Sequence, residues 1–221
     1  DRGYSDGKYY YKPDDWYKES IKANFRQEYN VNISGRSEKL NYYASVGYLD
    51  DSGIIQNSAY KRYTGRAKVD YQAKEWLKVG TNIAYTYSDS QAPMYQDGDA
   101  WGNSGNLFYV TNTIAPIYPL YVRNADGSIA TNPNTGYKIY DSGNNSGFSR
   151  PSVTGNAPRD IELNRQHQYT DLLSGKWYAN ITPIEGLTLT ANIAVNVQNS
   201  RLNILNSAFG SASSYDGSVY V

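Results

Sequence analysis

The 221-residue chain has no cysteine and a single histidine, His167. The first absence excludes disulfides and thiolate metal sites. The second leaves histidine-based metal clusters and proton shuttles almost nothing to draw on. Its 21 basic and 21 acidic side chains cancel, which removes any bulk electrostatic case for a nucleic-acid partner. No run approaches the roughly 20 apolar residues of a membrane helix. That excludes helical spans but not a barrel, whose strands keep half their residues toward a polar lumen. No carboxylate pair or nucleophile–base set stands out, so neither an enzyme nor a cofactor is expected. No signal peptide opens the chain at Asp1-Arg2-Gly3-Tyr4, as in a mature terminus or a fragment.

What the chain has is tyrosine and alternation. There are 24 Tyr against 4 Phe and 4 Trp; tyrosine favours strands and also suits interfaces, where its ring is apolar and its tip polar. In Leu40-Asn41-Tyr42-Tyr43-Ala44-Ser45-Val46-Gly47-Tyr48 the even positions are apolar and most of the odd ones polar. A period of two makes a strand with one apolar face and one wet face. The same reading gives strands at about 25–34, 40–49, 60–72, 77–88, 169–182 and 187–197, an all-β chain of about six strands. Tight polar turns are expected at 35–39, with Gly35 available for positive φ, and at 73–76 and 183–186. Longer connections run over 50–59 and about 89–165, and the tail after Gln198 reads as another loop. Pro13-Asp14-Asp15-Trp16 reads as a turn starting a short helix. Within the long connection, Leu107–Val110 with Ile114 suits one side of a short helix, and Ile117–Val122 with Asp126-Gly127 and Ile129 a small hairpin.

Periodicity alone leaves two solvents for the apolar face, since a sandwich core also alternates. Three details favour lipid. Residues 62–71 put Arg62, Arg66, Lys68 and Asp70 on one face and no charge on the other. The apolar faces mix small residues and aromatics rather than bulky aliphatics. Tyrosines bracket those faces: Tyr42 and Tyr48, Tyr63 and Tyr71, Tyr85 and Tyr87. A barrel wall is therefore favoured, with a soluble β-rich carbohydrate-binding module and a passive outer-membrane channel as the alternatives.

The stretch from Asn32-Ile33-Ser34-Gly35-Arg36 through Leu49-Asp50, followed by Gly53-Ile54, closely resembles a signature of SusC/RagA-type TonB-dependent transporters, the nutrient importers of the Bacteroidetes outer membrane. Tyr60–Arg66 continuing to Trp76–Gly80 resembles the following hairpin of that family. Pro116 through Pro119 with Asp126-Gly127, and Tyr178–Pro183 with Gly186-Leu187, agree in order and spacing. The resemblance covers most of 13–197 and is looser in the long loop. It implies a segment of a 22-stranded antiparallel transmembrane barrel, whose plug domain and TonB box are absent from this chain. It also implies energised import of a bulky nutrient, an oligosaccharide or a peptide, with a SusD-like lipoprotein lid, TonB and membrane lipid as partners. The tight turns would then face the periplasm, and 50–59, 89–165 and 198–221 the outside.

On that resemblance Arg66, Lys68, Asp70, Asn82 and Lys176 are the candidates for lining the lumen, the plainer reading being an ordinary solvated interior. Tyr95, Trp101, Tyr118 and Tyr121 are the candidates for touching substrate or lid, through aromatic platforms; the plainer reading is a loop packed on itself. Asp97 and Asp99, with Asp89, offer oxygen ligands for a structural Ca²⁺ but lack the spacing of a calcium loop. His167, beside Arg165 and Gln168, reads as a surface histidine.

Overall fold

The computed structural model describes residues 4–5, 7–8, 10–93, 107–134, 136–141 and 156–205. In chain order these form β1 (Tyr4–Ser5), β2 (Tyr10–Tyr11), α1 (Trp16–Ser20), β3 (Arg26–Arg36), β4 (Leu40–Ser52), β5 (Ala59–Lys74), β6 (Leu77–Ala92), α2 (Leu107–Thr113), α3 (Ala157–Leu163), β7 (Arg165–Ile184) and β8 (Leu187–Leu205). Strands β3 to β8 make one six-stranded antiparallel sheet in sequence order. Every neighbour in the sheet is a neighbour in the chain, the topology of an up-and-down meander.

The register aligns the alternation of each strand into two continuous faces, because directly opposed residues share a side. One face carries the rows Val31–Val46–Gly65–Tyr85–Leu173–Val197 and Ile33–Ala44–Ala67–Ile83–Gly175–Val195. Toward the turns the apolar surface continues through Tyr42, Val69, Trp177 and Ile193 to Leu77, Ile181 and Leu189. Toward the loops it ends on a tyrosine row, Tyr29–Tyr48–Tyr63–Tyr87. The rings of Tyr48 and Tyr63 stand 5.0 Å apart and those of Tyr63 and Tyr87 6.2 Å. Immediately beyond comes the polar row Gln27–Asp50–Lys61–Asp89–Tyr169–Arg201, where Lys61 pairs with Asp50 at 3.5 Å. The Tyr48 hydroxyl donates upward to Asp50 at 3.0 Å.

Glycines on these faces make room for aromatic rings. Gly35 lies inside β3 and lacks the positive φ expected of it; the Tyr42 ring of the neighbouring strand occupies the space a Cβ would need. The turn is instead closed by the Ser37 N–H donating to the Leu40 carbonyl at 2.7 Å and the Leu40 N–H to Ser37 Oγ at 3.2 Å. At the β7–β8 turn Gly186 does take positive φ, +85°, which a residue with a Cβ adopts only at a cost.

Several strands run past their expected bounds, β4 to Ser52 and β6 to Ala92 among them. Strand β7 begins at Arg165, and β8 runs to Leu205 rather than ending near 197. Over Gln198-Asn199-Ser200-Arg201 both faces are polar, so the period-two signal fades there. The backbone ladder continues regardless, pairing Tyr169 with Arg201 and Arg165 with Leu205. Helix α2 and the small hairpin (Arg123 bridged to Ile129) form where the sequence places them. Helix α3, inside the stretch read as loop, was not anticipated.

Candidate functional site

The five candidates for the wall's inner surface, Arg66, Lys68, Asp70, Asn82 and Lys176, all fall on the polar face. Lys68, Asn82 and Lys176 form one cross-strand row, with Arg66 one row toward the loops and Asp70 one row toward the turns. Arg66 Nε donates to Asn82 Oδ1 at 3.0 Å, and Lys68 Nζ stands 3.6 Å from Asp70 Oδ2. Asp70 also accepts from the Tyr178 hydroxyl. Nearer the loops the same face carries Arg26, Glu28, Asp51 and Arg62, which pair at 3.1 to 3.9 Å.

At the loop end a small module has its own core. Trp16 of α1, Leu107 and Val110 of α2, Leu120 and Tyr121 of the hairpin segment, and Ala157 and Ile161 of α3 pack together, with Ile55, Ile114, Ile129 and Tyr140 against them. Four separate stretches of chain, counting the one that holds Ile55, thus share one apolar centre. Asp15 caps α1 by accepting from Lys18 N–H at 2.9 Å, as the Pro-Asp-Asp-Trp turn leads one to expect. Asp14 accepts from Arg123 Nη2 and from the Leu120 N–H, each at 2.8 Å, with both charged side chains largely out of solvent. Trp16 Nε1 donates to the Tyr118 carbonyl at 2.9 Å.

Asn156 is fully buried and works in three directions. Its amide donates to the carbonyls of Leu120 and Asp141, both at 3.0 Å, and its Oδ1 accepts the Arg159 N–H as the cap of α3. Next to it, burial pushes the Asp160 carboxyl up to about 6, against the opposing pull of Arg159, whose Nη2 lies 2.8 Å away. Burial likewise raises Tyr140, whose hydroxyl donates to Glu162. On the other side Asn57 Nδ2 reaches the Ile161 carbonyl at 2.5 Å, tying the 50–59 connection to α3. At the exposed hairpin turn, hydrogen bonds from Ser128 hold Asp126 below its ordinary range.

A hollow of about 370 Å³ opens between Pro13–Tyr17 and the C-terminal end of α2, with Thr111, Ile114 and Pro116 as its far wall. Its lining is mixed, with an exposed Tyr17 and the Asp15 carboxylate. Sequence reading passed over it, although Pro13-Asp14-Asp15-Trp16 marked one wall. Of the aromatic contact candidates, Tyr118 is half-buried beside this module and hands its carbonyl to Trp16. Tyr121 is buried in the core, its ring 4.9 Å from Tyr140 with Lys138 Nζ 5.1 Å from the ring centre. A packing position is thereby its observed place, in line with the plainer reading. Tyr95, Trp101, Asp97 and Asp99 lie outside the described residues. Among the described residues no group of three or more acidic or histidine side chains converges as a metal site would. Asp89 instead meets His167 Nδ1 at 3.2 Å, and that ring stacks on Tyr169.

No family model matches the sequence. Among characterised proteins it is similar to TonB-dependent receptor P26 of Formosa agariphila, 26% identical over 174 residues that are 79% of this chain and 15% of that protein. TonB-dependent receptor P39 of the same organism is 26% identical over 184 residues, 82% of this chain and 15% of its own length. TonB-dependent receptor SusC of Bacteroides thetaiotaomicron is 24% identical over 139 residues, 55% of this chain and 13% of SusC. Two solved structures share the fold. The RagAB peptide transporter aligns with TM-score 0.66 and 28% identity over 88% of this chain and 20% of that one. The RagAB peptide importer in its closed-closed state aligns with TM-score 0.64 and 27% identity over 93% of this chain and 21% of that one. The chain therefore spans about 15% of the length of the first two relatives.

Proposed function

This chain is part of a SusC/RagA-type TonB-dependent transporter, and from that premise we propose that it forms one stretch of an outer-membrane barrel wall importing a bulky nutrient under TonB drive. The cargo is an oligosaccharide or a peptide, and a SusD-like surface lipoprotein serves as the lid. In this reading the apolar face meets lipid, the polar face lines the lumen, the tight turns face the periplasm and the loop module faces outside. The chain is a partial barrel domain, and the rest of the wall and a plug come from elsewhere in the full-length protein. The protein acts by binding and passage and carries out no covalent chemistry.

The observation that carries the reading is the height of the apolar band below the tyrosine row. From Tyr87 to Leu77 the β6 strand advances ten residues, about 33 Å at roughly 3.3 Å per residue. Tilted by roughly 45°, that is about 23 Å, against an apolar band of about 25 Å on transmembrane barrels. The tyrosine row with a charged row just beyond it matches an interfacial girdle. A soluble module would have to cover the same exposed apolar face with a second layer.

Fractionation of cells making the full-length protein tests the location: recovery in the outer membrane with release only by detergent is expected. Release by salt alone overturns the barrel reading. Nutrient uptake in a strain lacking TonB tests the mechanism. Uptake should stop, and uptake that persists argues for a passive channel instead.

A further inference from the structure

On the polar face the balance of charge changes along the strands. In the half near the loops, Arg26 and Arg62 are answered by Glu28 and Asp51. In the half near the turns, Arg36, Arg66, Lys68, Lys78 and Lys176 share a single carboxylate on that face among the described residues, Asp70. That carboxylate is already engaged by the Tyr178 hydroxyl and by Lys68. Arg66 and Lys176 have no carboxylate partner among the described residues, and both are exposed on the polar face.

The arrangement has a shape. Lys68 and Lys176 flank Asn82 in one row, two inter-strand steps or roughly 10 Å apart. Arg66 sits on the next row, and its Nε is held by Asn82 Oδ1 at 3.0 Å. That bond fixes the guanidinium plane while leaving its terminal nitrogens for another acceptor. A planar fork flanked by two ammonium groups matches an anionic oxygen cluster, bidentate at the arginine and with point charges on either side. Cations inside a low-dielectric wall also focus the local field, raising the concentration of anions along it.

We infer that Arg66, Lys68 and Lys176, arranged around Asn82, form a binding step on the lumen wall for anionic groups on the cargo, meaning carboxylate, sulfate or phosphate ester. The inference rests on the import reading above and narrows its substrate class to negatively charged oligosaccharides or acidic peptides.

The test uses the purified full-length transporter in detergent, with sucrose octasulfate as anionic probe and sucrose as its neutral match, binding being measured by calorimetry. The octasulfate should bind and sucrose should not. The triple variant R66Q/K68Q/K176Q should weaken octasulfate binding roughly 10- to 100-fold. Raising the salt should weaken the wild type more than the variant. The control R62Q, in the compensated half, should bind as wild type does. Equal binding by wild type and triple variant overturns the inference, as does equal affinity for the two probes. Should the triple variant fail to fold, as judged by heat-modifiable gel migration, the single variants K68Q and K176Q at exposed positions carry the same comparison. Carbodiimide coupling adds a second arm: zero-length links from Lys176 to carboxylates elsewhere in the resting protein overturn the cargo assignment, because the cluster then binds protein. None of these readouts requires uptake, so an import reading that fails in the TonB-deficient strain is distinguishable from failure here.

Discussion

Tyr178 of β7 reaches across Gly80 of β6 to place its hydroxyl on Asp70 of β5, so that three adjacent strands are joined through one side chain on the polar face. The reach is possible because Gly80 has no Cβ; one built there would collide with the tyrosine ring. The same bond draws on the only carboxylate near Lys68 on that face among the described residues, which ties the packing of the wall to its charge.

Replacing Gly80 with alanine should therefore expel the ring and destabilise the barrel by about 1 to 3 kcal/mol. In a Tyr178→Ala background the same change should have much less effect. Thermal unfolding of the four proteins of this cycle measures the coupling, and equal effects in both backgrounds would show that the ring is not the obstacle.

The Asp14–Arg123 pair is largely buried, so breaking it leaves an uncompensated charge. Asp14→Ala should loosen the loop module by roughly 3 to 5 kcal/mol while the sheet stays intact. Hydrogen exchange would report it as faster exchange in residues 107–134 and 156–163 without change in β4 to β7.

Asn156 satisfies two carbonyls and caps α3. Asn156→Ala should destabilise the module by about 1 to 3 kcal/mol, again read by exchange in α3.

Asp160 has its proton affinity raised by burial, to about 6 from an ordinary 3.8. The folded module then binds the proton more tightly than the unfolded chain does. Stability is fully present below about pH 4 and declines as pH rises through 6, by on the order of 1 to 3 kcal/mol. Asp160→Asn should remove that slope. Exchange in α3 followed from pH 4 to 7 is the measurement, and a module that tightens with rising pH would contradict the assignment.

In the barrel reading the two faces differ in tolerance for charge. Ala67→Arg, mid-band on the apolar face, should cost about 2 to 4 kcal/mol. Thr64→Arg, on the polar face, should cost far less. Refolding into lipid vesicles compares the two, and similar penalties would argue against lipid on the apolar side.

The strands were legible because alternation is a local property. Residues 40 to 48 show their two faces without reference to any neighbour, and the chain order of the strands sets their order in the sheet. The polar-face candidates were legible for the same reason: Arg66, Lys68 and Asp70 fall on one side by period alone. Where Gln198-Asn199-Ser200-Arg201 put polar residues on both sides of β8, that signal fades, and the strand extends past it.

The loop module was not legible. Its defining contacts join residues far apart in sequence, Asp14 with Arg123 and Trp16 with Tyr118, separated by 109 and 102 positions. Such pairings obey no period, and a sequence of Gly, Asn, Asp and Pro looks alike whether it packs or not. Tyr121, a contact candidate beside the plainer reading of a loop packed on itself, is buried against Tyr140. By itself the sequence determined a wall with an apolar and a polar side, because the two-residue period of a strand is written in neighbouring residues. Only the tertiary structure decided which loop residues meet and which charges on the polar side find partners, because those contacts join positions far apart in the chain.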